Sequence, residues 1–420
     1  EEVRSFLDEL GEAPSDEVSK NAELLIRGGF ISKEMAGAYN YLPLGLRVLN
    51  KVISIIREEM NAIGGQEITM TSLQRPELWR SHFKQDRWDD KNVDIWFKTK
   101  LKDESELGLA FTHEEPISNM LEQFVSSYKD LPFSVYQFQT KFRNETRAKS
   151  GVMRTREFIM KDLYSFNVDE KAHLEFYEKA KEAYKKIFKR AGIGHLTYVT
   201  FASGGVFSKF SHEFQTITSV GEDVIYVDES KGIAINKEVY NDEVIKSLGL
   251  SKDTLVEHKA VEVGNIFTLA TKFSEPNLLF QDEKGDKLPV FMGSYGIGPA
   301  RLMGTVVEVL SDDKGIVWPE SIAPFKVHLL SLGEDEAVIS EANKVYENLV
   351  SAGIEVLFDD RSGMSAGEKF ADADLLGMPY RAVVSQRSIK ENGIELKKRT
   401  EEKGQVVTLD ELLVMLKPKL

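Results

Sequence analysis

Apolar residues in LRVLNKVISIIREEM recur at helical spacing, with Leu46, Leu49, Val52, Ile53 and Ile56 on one side of the repeat. A shorter helix is expected before it, from residue 21, with a loop at YNYLPLG between the two. Gly64 and Gly65 stop the long helix, and QEITM then alternates as a strand does. FSVYQFQTKF (133–142) and EFIMKDLYSF (157–166) are dense in aromatic and β-branched residues. They predict two antiparallel strands joined by a long charged loop. A helix follows from about Asp169 to Ala191, with Leu174, Tyr177, Ala180, Tyr184 and Ile187 on one face and Gly192 at its end.

Residues 212–311 return to strands and turns, closing on FMGSYGIGPARLMGTVVEVL, which reads as strand, glycine turn and apolar helix. Two prolines in GIVWPESIAPF mark a domain boundary. Beyond it, strand KVHLLSL, a helix near 336–352, strand IEVLF, a helix near 367–376 and strand RAVVS form a βαβαβ series. That series is the pattern of a mostly parallel sheet with helices on its faces. The expected architecture is an α+β domain on an antiparallel sheet over residues 1–324, then a C-terminal α/β domain over residues 325–420.

Composition narrows the class. A chain of 420 residues, 42% hydrophobic and 29% charged, is expected to be soluble and to fold as more than one domain. No apolar run of about 18 residues occurs, so no membrane-spanning helix is expected. The first residues, EEVRSFLDEL, lack the basic start and apolar centre of a secretory signal. The absence of cysteine excludes disulfides and thiolate zinc sites and fits a reducing compartment. A net charge of −14 argues against indiscriminate coating of nucleic acid, while leaving a local basic surface open.

Such a surface exists. Between Gln139 and Lys161 stand seven Lys or Arg against two Glu. The plain reading is a solvated basic face. The sharper one is a clamp for polyphosphate beside an aromatic ring. Strand alternation would put Arg143 and Glu145 on one face, and Arg154 and Phe158 together on the next strand. Arg143 could grip a phosphate bidentately, Glu145 could accept from an amino group or hold a metal, and a purine could stack on Phe158. In GSYGIGPARL (293–302), Gly293, Gly296 and Gly298 allow a backbone to approach a ligand closely, and Arg301 opens an apolar helix. The spacing is wrong for a dinucleotide fingerprint, no βαβ unit surrounds it, and the chain has no Walker-type loop. A bound nucleotide would therefore be held by arginines on an antiparallel sheet.

FRNE with RTREF resembles the second motif of the class II aminoacyl-tRNA synthetases, and GSYGIGPARL resembles the third. FTHEEP (111–116), SHEF (211–214), GIVWPESIAPF and DDRSGMSAGEKFADADLLGMP are similar to the bacterial-type prolyl-tRNA synthetases, and the likeness runs from about residue 20 to the C-terminus. The resemblance implies a ligase that activates L-proline with ATP and Mg²⁺ and transfers proline to the 3′ end of tRNA(Pro), working as a cytoplasmic homodimer. Magnesium would arrive with ATP, with no dedicated protein site. Arg143 would bind the α-phosphate and the new carboxyl–phosphate linkage, Glu145 would sit near the adenine, and Phe158 would stack on it. Arg154 and Arg301 would hold the β- and γ-phosphates, and Glu262 would help with ATP or its magnesium. Thr112 and Glu114 would take the imino group of proline, with Asp162 and Glu213 as further candidates and Phe267 and Ser294 walling the ring. His113 is expected to be structural, and Arg361, Lys369 and Phe370 are candidate anticodon contacts.

The departures from that family are as informative. Thr71 stands where its first motif usually has proline, Asn265 where it often has histidine, and TFASGGVFSKFSHEF lacks the usual acidic approach to SHEF. Typical bacterial members carry a large hydrolytic insertion between the second and third motifs, whereas here only residues 227–262 make the connection. Mischarged tRNA would then be cleared by a separate hydrolase. A threonine-specific synthetase is disfavoured, because such sites use zinc with a cysteine ligand. A tRNA-binding paralogue without catalysis is disfavoured because every position that would grip ATP is filled.

Overall fold

The computed structural model describes residues 19–81, 86–146, 148, 150–204 and 210–417. Arg147 and Lys149 of the basic stretch and residues 205–209 ahead of SHEF lie outside them, as do the first eighteen residues. The elements begin α1 (Lys20–Arg27), β1 (Ile31–Met35), β2 (Ala38–Tyr41), α2 (Pro43–Ala62), β3 (Gly65–Glu67), β4 (Leu73–Gln74) and α3 (Pro76–Ser81). Next come β5 (Phe97–Lys100), β6 (Glu106–Leu109), α4 (Glu114–Leu121), β7 (Phe133–Phe142), β8 (Glu157–Asn167), α5 (Glu170–Arg190), β9 (Thr197–Ser203) and β10 (Phe210–Ile217). They continue with β11 (Asp223–Asp228), β12 (Ile233–Asn236), α6 (Asp242–Ser247), β13 (Val256–Ala270), β14 (Leu279–Gln281), β15 (Lys287–Pro289), β16 (Phe291–Ile297) and α7 (Pro299–Leu310). The last are β17 (Val327–Leu332), α8 (Glu336–Ser351), β18 (Val356–Asp359), α9 (Ala366–Leu376), β19 (Tyr380–Ser385), α10 (Gln386–Lys390), β20 (Ile394–Lys398), β21 (Gln405–Val407) and α11 (Leu409–Leu416). The chain divides into two compact units, one made of Glu34–Ala38 and Val52–Thr305, the other of the remaining described residues.

The first unit is built on a nine-stranded sheet in the order β10-β9-β12-β11-β13-β16-β8-β7-β3. Its middle is antiparallel: β7 pairs with β8 from Phe133↔Phe166 to Phe142↔Glu157, and β8 with β16 from Asn167↔Phe291 to Lys161↔Ile297. Parallel pairing occurs between β3 and β7 and between β12 and β9. One end of the sheet closes on itself. His212 and Tyr295 both pair with Ile266, and Ile217 and Asp223 both pair with Ala260. Strand β10 therefore lies along one edge of β13, with β11 and β16 along the other, so β13, β10, β9, β12 and β11 form a ring. Residues 227–262 supply β12, α6 and the start of β13, and Ile225, Val227, Ala234 and Ala260 pack within the ring.

Helix α5 covers one face of this sheet. Asp169 accepts from the Ala172 amide to cap it, and His173, Tyr177, Ala180, Tyr184, Ile187 and Phe188 are buried along its length. Each large apolar side chain so buried contributes about 1.5–3 kcal/mol of transfer free energy. Leu174 and Leu46, which periodicity places on the inner faces of α5 and α2, are instead 49% and 46% exposed. Both lie at the margin of an apolar stripe, where spacing alone cannot tell rim from core. The expected strand in QEITM shortens to β3, and the expected loop before α2 is partly the hairpin β1–β2.

The second unit contains a five-stranded sheet in the order β18-β17-β19-β20-β21. The first three strands are parallel, as the βαβαβ series predicts, and β20 and β21 add antiparallel pairs. Val338, Ala342, Val345 and Leu349 of α8 close its core with Val327, Leu329, Ala382 and Val384. Ser365 and Glu368 form a reciprocal capping box at the start of α9. Gly377 ends that helix at φ 73°, and a Cβ there would collide with the Ile316 carbonyl, so the position needs glycine. Ile316 and Trp318 donate backbone N–H groups to Leu375 and Gly377 at 3.1 and 3.2 Å. Arg399 forks onto Asp312 at 2.7 and 2.8 Å, and Arg47 and Lys51 hold Glu355. The proline-marked linker is thus bonded into the same unit as the C-terminal sheet. Among the described residues no helix is long and apolar enough to cross a membrane.

Candidate active site

A cavity of about 440 Å³ opens on the face of the nine-stranded sheet opposite α5. Strand alternation explains its lining. On β8, Phe158, Met160, Asp162 and Tyr164 face it, and on β16 Ser294 and Gly296 do. Thr112 and Glu114 enter from the start of α4, Arg143, Glu145, Val152, Met153 and Arg154 from the loop between β7 and β8, and Glu262, Asn265 and Phe267 from β13. Arg301 enters from the first turn of α7. Every residue singled out from sequence for ATP, and all but one for proline, meets in this space.

The reason differs from the one that alternation offered. Strand β7 ends at Phe142 and β8 begins at Glu157, so Arg143, Glu145 and Arg154 lie outside both strands. The loop is held by its own backbone instead. The Glu145 amide donates to Arg143 O at 2.7 Å, and the Arg143 amide to Arg156 O at 2.8 Å. Arg156 in turn donates to Glu145 O at 3.0 Å and to Ala36 O at 2.6 Å. The Arg143 guanidinium stands 5.3 Å from the centroid of Phe158. Burial pulls its basicity down, while Glu114, Glu145 and Glu262 act the other way. Arg154 bridges Glu145 at 2.9 Å and Glu222 at 2.8 Å. Arg301 keeps a buried Nε with no hydrogen-bond partner among the described residues, a donor lacking an acceptor at the cavity wall. Asn265 donates to Glu262 at 2.7 Å.

Acceptors gather at the other end. Thr112 Oγ1 donates to Glu114, and Tyr164 OH lies 3.5 Å from the same carboxylate. Asp162 Oδ2 accepts from Gln137 Nε2 at 3.0 Å, Lys141 Nζ at 2.9 Å and Tyr164 OH at 3.0 Å. His113 is fully buried. Glu115, next to Glu114, is buried against Arg87 beside the Trp79, Trp88, Trp96 and Phe111 cluster, which anchors the loop that carries Thr112 and Glu114.

Several expectations need correction. Glu213 does not line the cavity; on β10 it pairs with Asn265 and accepts from Gln215 Nε2 at 2.8 Å and Asn236 Nδ2 at 3.1 Å. Burial, then the charge of Glu262, pushes its carboxyl up to about 7. Gly293 faces α5 and not the cavity, since a Cβ there would lie 2.6 Å from His173 Cε1. Lys369, offered as an anticodon contact, is 3% exposed and donates to Ser331 O at 2.9 Å, so it belongs to the unit's interior. Arg361 is likewise spent on Asp359 and Asp372, at 2.8 and 2.7 Å. Phe370 is partly buried, with Arg381 4.3 Å over its ring. Sequence reasoning missed Gln137, Lys141 and Tyr164 around Asp162, and Glu222 and Asp223 at the rim. The signal available was GED (221–223), six residues beyond SHEF, and the period-2 register that puts Tyr164 beside Asp162 on β8.

Comparison with known proteins places the chain in a lineage. Residues 97–310 match the family model "tRNA synthetase class II core domain (G, H, P, S and T)", and residues 326–419 match "Anticodon binding domain". A proline–tRNA ligase of Wolbachia sp. subsp. Brugia malayi is 39% identical over 423 residues, covering 97% of each chain. Another, from Hyphomonas neptunium, is 37% identical over 440 residues and 98% of each chain. Such coverage leaves no room for a large insertion in those relatives that this chain lacks. Among solved structures, prolyl-tRNA synthetase from Cryptosporidium parvum, complexed with halofuginone and AMPPNP, superposes with a TM-score of 0.78 at 17% identity, over 97% of this chain and 78% of that one. The Giardia lamblia enzyme in complex with prolyl-adenylate gives 0.76 at 17% identity, over 94% and 75%. At that identity the structures speak for the fold, and the near full-length relatives speak for the lineage: the chain belongs to the proline–tRNA ligase family of class II aminoacyl-tRNA synthetases.

Proposed function

We propose that this cavity activates L-proline with ATP and that the resulting prolyl-adenylate is passed to the 3′ end of tRNA(Pro). The observation that carries the reading is that one cavity joins Arg143, Arg154 and Arg301 to Thr112, Glu114 and Asp162. Anion grips and ammonium acceptors meet there without a protein nucleophile between them. The chemistry needs none. The carboxylate of proline attacks the α-phosphorus in line, a C–O–P linkage forms, and pyrophosphate leaves with the electrons of the broken P–O bond. Arg143 steadies the charge on the α-phosphate, Arg154 and Arg301 hold the β- and γ-phosphates, and Phe158 stacks on the adenine beside Glu145. Thr112, Glu114 and Asp162 take the secondary ammonium, and Phe267 and Ser294 wall the ring. A terminal ribose hydroxyl of the tRNA then attacks the prolyl carbonyl, and AMP departs.

Magnesium fits as a companion of the triphosphate. Among the described residues no group of three or more His, Cys, Asp or Glu could hold a metal, while Glu262 and Asn265 offer side-chain oxygens at the cavity wall. A hard cation that keeps phosphate and water ligands needs no more than that. When bound, it would neutralise phosphate charge.

We further assign catalysis to residues 1–324 and anticodon binding to residues 325–420, where Phe370 offers a ring for base stacking. The same reading places a homodimer in the cytoplasm, served by a separate hydrolase for mischarged tRNA. The deciding experiment is proline-dependent exchange of labelled pyrophosphate into ATP, run beside the other amino acids. Exchange driven best by proline is expected; exchange driven best by another amino acid, or by none, overturns the reading.

A further inference from the structure

Two lysines of the first unit are fully buried, and the mechanism above uses neither. Lys161 Nζ points to the α5 side of the sheet, donating to Tyr184 OH at 2.7 Å and Tyr295 O at 2.9 Å. Lys141 is the more telling. It does not line the cavity, yet its ammonium donates to Asp162 Oδ2 at 2.9 Å and touches His113 Nδ1. The ring of His113 has a determined tautomer. Its Nε2 lies 3.0 Å from the Thr71 carbonyl, which can only accept, so Nε2 carries the proton and Nδ1 is left to accept from Lys141. Burial and the neighbouring ammonium hold His113 neutral, its basicity pushed down to about 4.

The consequence falls on Asp162. Three donors converge on its Oδ2, from Lys141, Gln137 and Tyr164, while Oδ1 is buried and has no partner among the described residues. A buried carboxylate oxygen without a donor is costly unless a ligand supplies one. We propose that Lys141, backed by the neutral His113, is a positioning residue for the amino-acid site: it pins one oxygen of Asp162 so that the other is presented to the substrate's secondary ammonium. This rests on the reading of Asp162 as part of the proline site.

The test is Lys141→Met, which keeps length and apolar bulk but removes the charge and its donors. Proline-dependent pyrophosphate exchange should show a proline KM raised about tenfold or more, the range for losing a hydrogen bond to a charged group, with ATP KM moved less than about threefold. A merely structural role would move both KM values together. An unchanged proline KM, or parallel rises in both, overturns the proposal. Should Lys141→Met not fold, His113→Asn keeps both charges and decides instead: a rise in proline KM alone supports the proposal, and no rise or a joint rise overturns it. Asp162→Asn separates the two layers. If it leaves proline KM unchanged, the assignment of Asp162 fails; if it raises proline KM while Lys141→Met does not, only the positioning role fails.

Discussion

Gly293 and Gly296 look alike in GSYGIG, and they should respond to the same substitution in opposite ways. A Cβ on Gly293 would lie 2.6 Å from His173 Cε1, 2.6 Å from Tyr295 Oη and 2.9 Å from Ser165 Oγ. None of these can step aside. All three residues are fully buried, His173 is held to Thr268 Oγ1 at 2.9 Å, and Tyr295 is bonded to Ser165 at 3.0 Å. Gly293→Ala is therefore an overpacking change of about 1–3 kcal/mol. For a unit of this size that lowers Tm by about 2–4 °C per kcal/mol. A Cβ on Gly296 would meet only Asn265 Oδ1 at 2.9 Å before reaching 3.8 Å, and that amide is a movable side chain at the cavity wall. Gly296→Ala should leave Tm within a degree or two, since alanine also relieves the backbone entropy of a strand glycine by about 0.5–1 kcal/mol. Its cost should appear in the cavity, as an ATP KM raised about tenfold. Thermal unfolding followed by circular dichroism, with pyrophosphate exchange at 25 °C, measures both. If Gly296→Ala loses as much Tm as Gly293→Ala, or Gly293→Ala loses exchange per folded molecule without losing Tm, the assignment of the two faces is wrong.

Arg143→Ala is expected to lower adenylate formation by about 10²–10³ while leaving the circular dichroism spectrum native, because its charge acts on the α-phosphate; near-normal exchange in a folded variant refutes the role. Glu213 binds its proton more tightly folded, at about 7, than unfolded, so the folded state is favoured below the ordinary carboxylate range and loses that advantage as pH rises toward 7. Glu213→Gln should flatten the fall in Tm between pH 5 and 8, and an unchanged slope counts against it. On the proposed reading the proline site should admit the smaller alanine, since each missing methylene costs only about 1–3 kcal/mol of discrimination. If residues 227–262 take the place of an editing insertion, purified Ala-tRNA(Pro) should survive incubation with the enzyme at the spontaneous rate; faster deacylation reveals a hydrolytic site.

Strands β7 and β8 were legible because their aromatic and β-branched residues carry the period of a half-buried sheet. The parallel series of the second unit was legible because its strands are short, apolar and spaced by helices. The basic stretch and the glycine turn were legible as chemistry, though for a reason the structure replaces: backbone bonds within the 143–156 loop, not strand alternation, aim Arg143, Glu145 and Arg154. What sequence could not supply was direction. Lys141 and Lys161 counted toward a basic surface, yet both are fully buried. Lys369, a candidate anticodon contact by resemblance, faces Ser331 and Asp359 instead. A charge in a strand or helix announces its sign, and only the partner across the sheet, far away in sequence, decides whether it meets water. The hairpin β1–β2 escaped notice for the related reason that its sequence alternates weakly and its strands are mostly exposed.

The ring formed by β9 to β13 bears on how the chain avoids sticking to itself. An open sheet offers bare N–H and C=O groups at both margins, each a template on which a stray strand can add. Here one margin is consumed when β10 returns to β13, and among the described residues the other carries β3, three residues paired with Ser134–Tyr136 of β7. Truncations that remove β10 or β12 would reopen the consumed margin along β9 or β11, so the resulting fragments should favour cross-strand aggregation over simple unfolding.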